Sequence, residues 1–263
     1  MWNSFRTDQQ LGLTAEITTF SGNNDDTIHA YVARPTTPGP HPGIVAVHHM
    51  PGWDEYYQEF SERLARHGYI VITPNLYERF GHGTPDEVTA TVRADGGVDD
   101  ASVVGDCAAA LDWLKEQPDF NGKAGVIGSC SGGRQSVIVA SQVPGFSAVV
   151  DLWGGGLVPV PDAPPNPKKP AAGLEYTPQL NAPLLGIFGN DDSHPTPEQV
   201  DIHEAELQKY GKDYEFHRFD DAGHGFFYYH TPNYRPKQTM EAWGIIFGFL
   251  DKNLSNDDKS AGS

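Results

Sequence analysis

The stretch with the most chemical content is Gly128-Ser129-Cys130-Ser131-Gly132-Gly133. It follows a short apolar run, Ala124-Gly125-Val126-Ile127-Gly128, and precedes a helix-forming segment from Arg134 to Ser141. A nucleophile on so sharp a strand-to-helix turn has strained backbone angles, and small residues two before and two after it let strand and helix approach closely. Gly128 and Gly132 hold those positions around Cys130. The turn puts the thiol at a helix N-terminus, whose positive dipole end favours a thiolate, and aims the Ser131 N–H at an oxyanion. The chemistry expected is covalent catalysis by sulfur. A register with Ser131 as nucleophile, flanked by Ser129 and Gly133, is also sterically open. A phosphate-binding loop would end in Gly-Lys-Ser/Thr, whereas Gly133 is followed by Arg134-Gln135.

Such a nucleophile needs a base and a group that orients the base, and on strand-turn-helix scaffolds these follow in the order acid, then histidine, each after a later strand. Gly189-Asn190-Asp191-Asp192-Ser193-His194-Pro195 follows one apolar run, and Asp220-Asp221-Ala222-Gly223-His224-Gly225-Phe226 follows the next. His224 is the candidate base, and Asp191 and Asp192 compete for the acid. A metal set of His48, His49, His194 and His224 is disfavoured, because neighbouring histidines at a strand end point to opposite faces. No metal and no cofactor is expected. Cys107 lies within a predicted helix and is expected to pack structurally.

The elements that must position these groups alternate between strand-like and helix-like patterns, the signature of a mostly parallel sheet covered by helices on both faces. Residues 15–20 and 27–34 read as an opening hairpin, and 43–48, 69–74, 124–128, 148–153, 184–189 and 214–219 as further strands. Helices are expected at about 55–67, 106–117, 134–141, 197–210 and 236–253. Two loop insertions interrupt the pattern, at about 78–98 (a loop or short helix over a site) and at the Pro-rich 156–183, which reads as a long structureless connection. One domain spanning 1–263 is expected, with a frayed tail at 255–263.

Composition bounds the partners. The chain has 263 residues, 38% of them hydrophobic, which is enough for a core and excludes wholesale disorder. Eighteen Lys+Arg against 35 Asp+Glu leave a formal net charge of -17, which disfavours nucleic acid and anionic membrane. No run approaches the roughly 18 apolar residues of a membrane span. The opening residues show no basic end followed by an apolar run, and with only two cysteines a reduced, cytoplasmic setting is expected. The expected partner is a small molecule, with the protein a monomer or homodimer. Trp153 and Phe226, just past strand ends, are the aromatic residues expected to line its pocket.

From about residue 15 to 253 the chain resembles the dienelactone hydrolase family of the α/β-hydrolase fold. The family's Gly-x-Cys-x-Gly-Gly stands at Gly128 to Gly133, its Gly-x-x-Asp at Gly189 to Asp192, and its Gly-His-x-Phe at Gly223 to Phe226. The resemblance implies an ester or lactone hydrolase working through Cys130, His224 and Asp192, and selects Asp192 over Asp191. It also implies Met50 N–H as the second oxyanion donor beside Ser131; Pro51, next in the chain, has no N–H to offer. Two departures follow from the same likeness. His49 stands where family members that open dienelactones carry a Glu that interacts with the resting thiol. Of the family's two-arginine carboxylate clamp, the first is matched by Arg79 in Leu76-Tyr77-Glu78-Arg79, and the second position holds Tyr228. His49, Arg79 and Tyr228 are therefore expected at the substrate. The competing expectation is a non-catalytic small-molecule-binding protein on the same fold.

Overall fold

The computed structural model describes residues 12–159 and 164–256. Its strands are β1 (Leu13–Ser21), β2 (Thr27–Pro35), β3 (His41–Val47), β4 (Ile70–Pro74), β5 (Phe120–Ser129), β6 (Phe146–Leu152), β7 (Leu184–Gly189) and β8 (Tyr214–Phe219). They form one eight-stranded sheet in the order β1-β2-β4-β3-β5-β6-β7-β8. β1 and β2 pair antiparallel, as does β2 with β4, and every other pairing is parallel. This is the α/β architecture of the α/β-hydrolase fold expected from the sequence. The inner strands read as continuous apolar runs because they are covered on both faces: Ile44, Val45, Ala46 and Val47 of β3 are all fully buried.

Among the described residues six α-helices accompany the strands: α1 (Glu55–Arg66), α2 (Pro85–Ala94), α3 (Asp100–Lys115), α4 (Ser131–Gln142), α5 (Pro197–Lys209) and α6 (Pro236–Leu254). Phe60 and Leu64 of α1 join Trp243, Ile246 and Leu250 of α6 in the core on one face. Val103, Leu111 and Leu114 of α3 join Val137 and Val139 of α4 on the other. Parallel strands send their C-terminal ends to one edge of the sheet, so the loops after β3, β5, β7 and β8 gather there. Among the described residues no helix is long and apolar enough to cross a membrane.

Three local expectations change. The helix expected from residue 106 starts at Asp100, because the Asp99 carboxylate caps it by accepting the Ser102 N–H. Within 78–98 the chain forms α2, whose start is set by Pro85 in the first turn and a reciprocal cap between Thr84 and Glu87. Over 156–183 the described residues are tied down rather than structureless. Asn166 Nδ2 donates to the Gly96 carbonyl at 3.0 Å, the Asp100 N–H donates to the Lys168 carbonyl, and the Lys168 ammonium meets both Asp95 and the Gly97 carbonyl. A 3-10 turn, Gly173–Gln179, follows. The expected frayed tail lies outside the described residues from 257 onward.

Candidate active site

The turn after β5 places Cys130 immediately before α4, with φ 56° and ψ -121°. A side chain at such φ is strained, and neighbouring structure must hold it there. The Cys130 N–H donates to the Leu152 carbonyl of β6 at 2.9 Å, and the Cys130 carbonyl accepts the Arg134 N–H. Gly132 is needed for close approach: a Cβ there would collide with the Val47 carbonyl at the end of β3. The first turn of α4 can therefore lie directly on the strand whose following loop carries Met50.

The His224 ring and the backbone N–H groups of Ser131 and Met50 are the groups around the Cys130 sulfur that favour its ionised form. Burial opposes ionisation of this thiol, but those groups, with the charge of His224, outweigh it and hold its pKa below the ordinary thiol value. Cys107, sealed inside α3, is pushed the opposite way by burial. Iodoacetamide at neutral pH is therefore expected to label Cys130 on the order of 10²-fold faster than Cys107. Peptide mapping of the labelled protein checks this, and the reverse preference would remove the acidic thiol.

His224 is oriented from behind. Its Nδ1–H donates to Asp192 Oδ2 at 2.9 Å, which leaves Nε2 for the sulfur. Asp192 is buried, and its Oδ1 accepts the His194 N–H at 2.8 Å. Burial would lower the pKa of His224, yet Asp192 and Cys130 together raise it to about 10. The acid and histidine loops are locked together at the strand ends. The Asn190 N–H donates to the Phe219 carbonyl and the Asp191 N–H to the Ala222 carbonyl, both at 2.9 Å. Gly189 permits this, because a Cβ on it would strike the Ala222 carbonyl. Asp191 is left exposed, so only Asp192 reaches the imidazole.

The Met50 N–H is aimed by contacts that sequence reasoning missed. Tyr77 Oη donates to the Met50 carbonyl at 2.9 Å, and Thr89 Oγ1 of α2 bridges the Met50 and Pro51 carbonyls at 3.2 and 2.8 Å. Behind the loop, His48 Nε2 accepts the Leu76 N–H and Nδ1–H donates to the His49 carbonyl. Burial lowers the pKa of His48 to about 4, so this ring is neutral at pH 7.

Cys130 opens onto a cavity of about 740 Å³ whose wall includes Met50, Ser131, His194, His224 and Tyr228, with Arg93 and Lys169. Of the residues expected at the substrate, Tyr228 is on this wall and four are not. His49 is 2% exposed and lies behind Tyr228. Its Nε2 lies 2.8 Å from Asp54 Oδ2, and its Nδ1 lies 2.9 Å from Tyr228 Oη. Tyr228 Oη also lies 3.1 Å from Ser129 Oγ, which shares a hydrogen bond of 2.9 Å with Tyr57 Oη, and the Tyr57 oxygen accepts the Ser129 N–H. His49 thus anchors a hydrogen-bonded chain beneath the Cys130 turn. Arg79 donates to Asp26 and, through two nitrogens, to Asp106, which ties it to the opening hairpin and α3. Trp153 and Phe226 are fully buried and pack on each other with ring centroids 5.2 Å apart. Strand ends on a covered sheet serve the core as readily as a pocket, which is why position alone misassigned these two. Arg93 and Lys169 were missed because neither belongs to a motif; the fold brings α2 and the Pro-rich connection over Cys130.

Comparison with known proteins places the chain in a family. The profile of the dienelactone hydrolase family matches residues 28–254. A Methylorubrum extorquens protein assigned as a carboxymethylenebutenolidase is 33% identical over 226 residues, covering 83% of this chain and 75% of that protein. A Synechocystis protein with the same assignment is 27% identical over 228 residues, covering 84% and 90% of the two chains. A crystal structure from Klebsiella pneumoniae, assigned as a dienelactone hydrolase, superimposes with a TM-score of 0.83 at 25% identity, covering 91% of this chain and 99% of that one. The chain is therefore a member of the dienelactone hydrolase family, a family of hydrolases.

Proposed function

We propose that this hydrolase cleaves ester or lactone bonds of small molecules through an acyl-enzyme on Cys130, with His224 and Asp192 completing the triad. The observation that carries this reading is the convergence of the His224 ring and two backbone N–H groups on one sulfur at a cavity wall. The thiolate bonds to the carbonyl carbon, and the carbonyl π electrons move to oxygen, where the Met50 and Ser131 N–H groups hold them. On collapse the carbon–oxygen bond of the leaving group breaks, and the proton on His224 Nε2 passes to that oxygen. His224, now neutral, takes a proton from water as it attacks the thioester; the acid departs and the thiolate returns. Asp192 keeps Nδ1 protonated throughout, so Nε2 alone exchanges protons. The raised pKa of His224 and the lowered pKa of Cys130 favour the charge-separated pair as the resting state.

Acid-quenching the protein during turnover of p-nitrophenyl acetate, then mapping peptides by mass spectrometry, tests the reading. An acetyl group on the peptide containing Cys130 is the expected result. Turnover with acylation elsewhere overturns the nucleophile, and absence of turnover on aryl esters and butenolides alike favours the non-catalytic binding protein.

A further inference from the structure

The polar chain beneath the Cys130 turn is longer than the proposed reaction requires, and it closes on itself. It runs from Asp54 through His49, Tyr228 and Ser129 to Tyr57, and the second Asp54 oxygen accepts the Tyr57 N–H at 3.1 Å, which completes a ring. His49, Tyr57 and Ser129 are buried, and Tyr56 stacks over His49 with centroids 5.5 Å apart and meets Tyr228 edge-on at 4.7 Å. Burial opposes ionisation of Asp54, but its bond to His49 holds its pKa below the ordinary carboxylate value. Burial, with Tyr56, Tyr57 and Cys130 beside it, holds the Tyr228 phenol well above its ordinary value, so Tyr228 serves as a neutral hydrogen-bonding group and not as a base. For stability alone an apolar filling would do as well, since buried polar groups return little beyond the cost of desolvating them. A fully bonded ring does what an apolar filling cannot: it fixes its members laterally. His49 immediately precedes Met50, Ser129 immediately precedes Cys130, and Tyr228 stands four residues after His224. Other bonds tie Met50 to Tyr77 and Thr89, Cys130 to Leu152, and the histidine loop to the acid loop; the ring ties the three segments to one another.

We propose that the ring of Asp54, His49, Tyr228, Ser129 and Tyr57 is a positioning device that fixes the Met50 N–H, the Cys130 sulfur and the His224 imidazole relative to one another, with His49 and Tyr228 as its positioning residues. This rests on the hydrolase reading above for the reaction that the alignment serves. His49 acts through Tyr228 and Ser129 and not on the sulfur, because both of its ring nitrogens are engaged within the ring. A reacting group misplaced by about 1 Å costs on the order of 10²-fold in rate, so opening the ring at one bond should be visible in turnover.

Tyr228→Phe removes one hydroxyl and leaves the aromatic ring on the cavity wall, and Ser129→Ala removes the next link. Each is expected to lower kcat on p-nitrophenyl acetate about tenfold with KM within about twofold, because alignment is lost and the pocket is not. The double variant should fall about tenfold and not about 100-fold, since a ring opened at one bond no longer transmits position through the others. His49→Gln, which keeps a donor near Asp54 but withdraws from Tyr228, should match Tyr228→Phe. His49→Asn, whose amide stands where Nδ1 was, should recover most of the loss. A thermal melt of every variant separates stability from alignment. A lower melting temperature with kcat of the folded protein unchanged, losses that multiply in the double variant, or a loss confined to KM overturns the positioning role. A second readout needs no turnover. Iodoacetamide should alkylate Cys130 about fivefold more slowly in Tyr228→Phe than in the wild type at neutral pH, where the thiolate depends on its neighbours, and equally fast at alkaline pH, where the thiol is ionised in both. Slower alkylation in the variant with no turnover by the wild type would sink the hydrolase reading and leave the ring standing. Wild-type turnover with neither kcat nor alkylation altered in the variants would do the reverse.

Discussion

Cys130→Ala is expected to lower kcat/KM on p-nitrophenyl acetate and on a butenolide by at least about 10⁴-fold, because removing a covalent nucleophile leaves only binding and the oxyanion donors. The fold should survive the change. Alanine at φ 56° is strained in the same way as cysteine, and the bonds that hold this turn are backbone bonds to Leu152 and Arg134. Circular dichroism and a thermal melt should therefore match the wild type within a few degrees. Turnover that persists in a folded Cys130→Ala protein would mean that the sulfur takes no covalent part. Cys130→Ser is a sharper version of the same experiment. It keeps the shape of the turn but replaces a thiol whose ionisation is favoured by His224 and the Ser131 and Met50 N–H groups with a hydroxyl that ionises far less readily, so it too should lose most activity.

Asp192→Asn is expected to cost about 10³- to 10⁴-fold in kcat, the scale seen when the orienting acid of a triad is neutralised. The physical reason is the tautomer. Asp192 accepts the Nδ1 proton of His224, and an amide that donates there would favour the ring with its proton on Nε2 in the neutral state. The pH dependence gives a signature that a merely structural defect would not. In the wild type, activity should rise as Cys130 ionises, below the ordinary thiol pKa of 9.0, and fall as His224 loses its proton near about 10. Asp192 raises the pKa of His224, so its removal should pull the alkaline limb downward. The Cys130 limb should move upward, because a less basic imidazole stabilises the thiolate less. The plateau between the two limbs should narrow from both sides. A pH–rate profile of kcat/KM for both proteins checks this, and an unchanged alkaline limb would remove Asp192 from the proton chemistry.

Much of the scaffold was legible because its causes are local. The strands at 184–189 and 214–219 are read to the residue from short apolar or β-rich runs bounded by loops. The sharp turn at Cys130 is announced by Gly128 and Gly132, which have no substitutes where strand and helix backbones touch. Helix α3 was read six residues short, since the capping of Ser102 by Asp99 is a weaker sequence signal than the alanine run that follows it. α2 and the connection over 164–172 were harder still. Their order comes from contacts with each other, through Asp95, Gly96, Gly97, Asn166 and Lys168, which lie about 70 residues apart in the chain.

The residues around the sulfur divide along the same line. Sequence alone determined the type of chemistry on offer, because a cysteine between spaced glycines, an acid loop and a glycine-flanked histidine in that order are properties of short segments. It could not separate Asp191 from Asp192 without a family likeness; the two are separated in space by the Asp191 N–H bond to Ala222, which turns one side chain to solvent and buries the other. It also could not tell a pocket from a core. Trp153 and Phe226 went inward, His49 went behind Tyr228, and Arg79 went to two aspartates. Tertiary structure decided which side chains meet the cavity, because direction and partnership depend on groups brought together from distant segments, and no spacing within one segment encodes them.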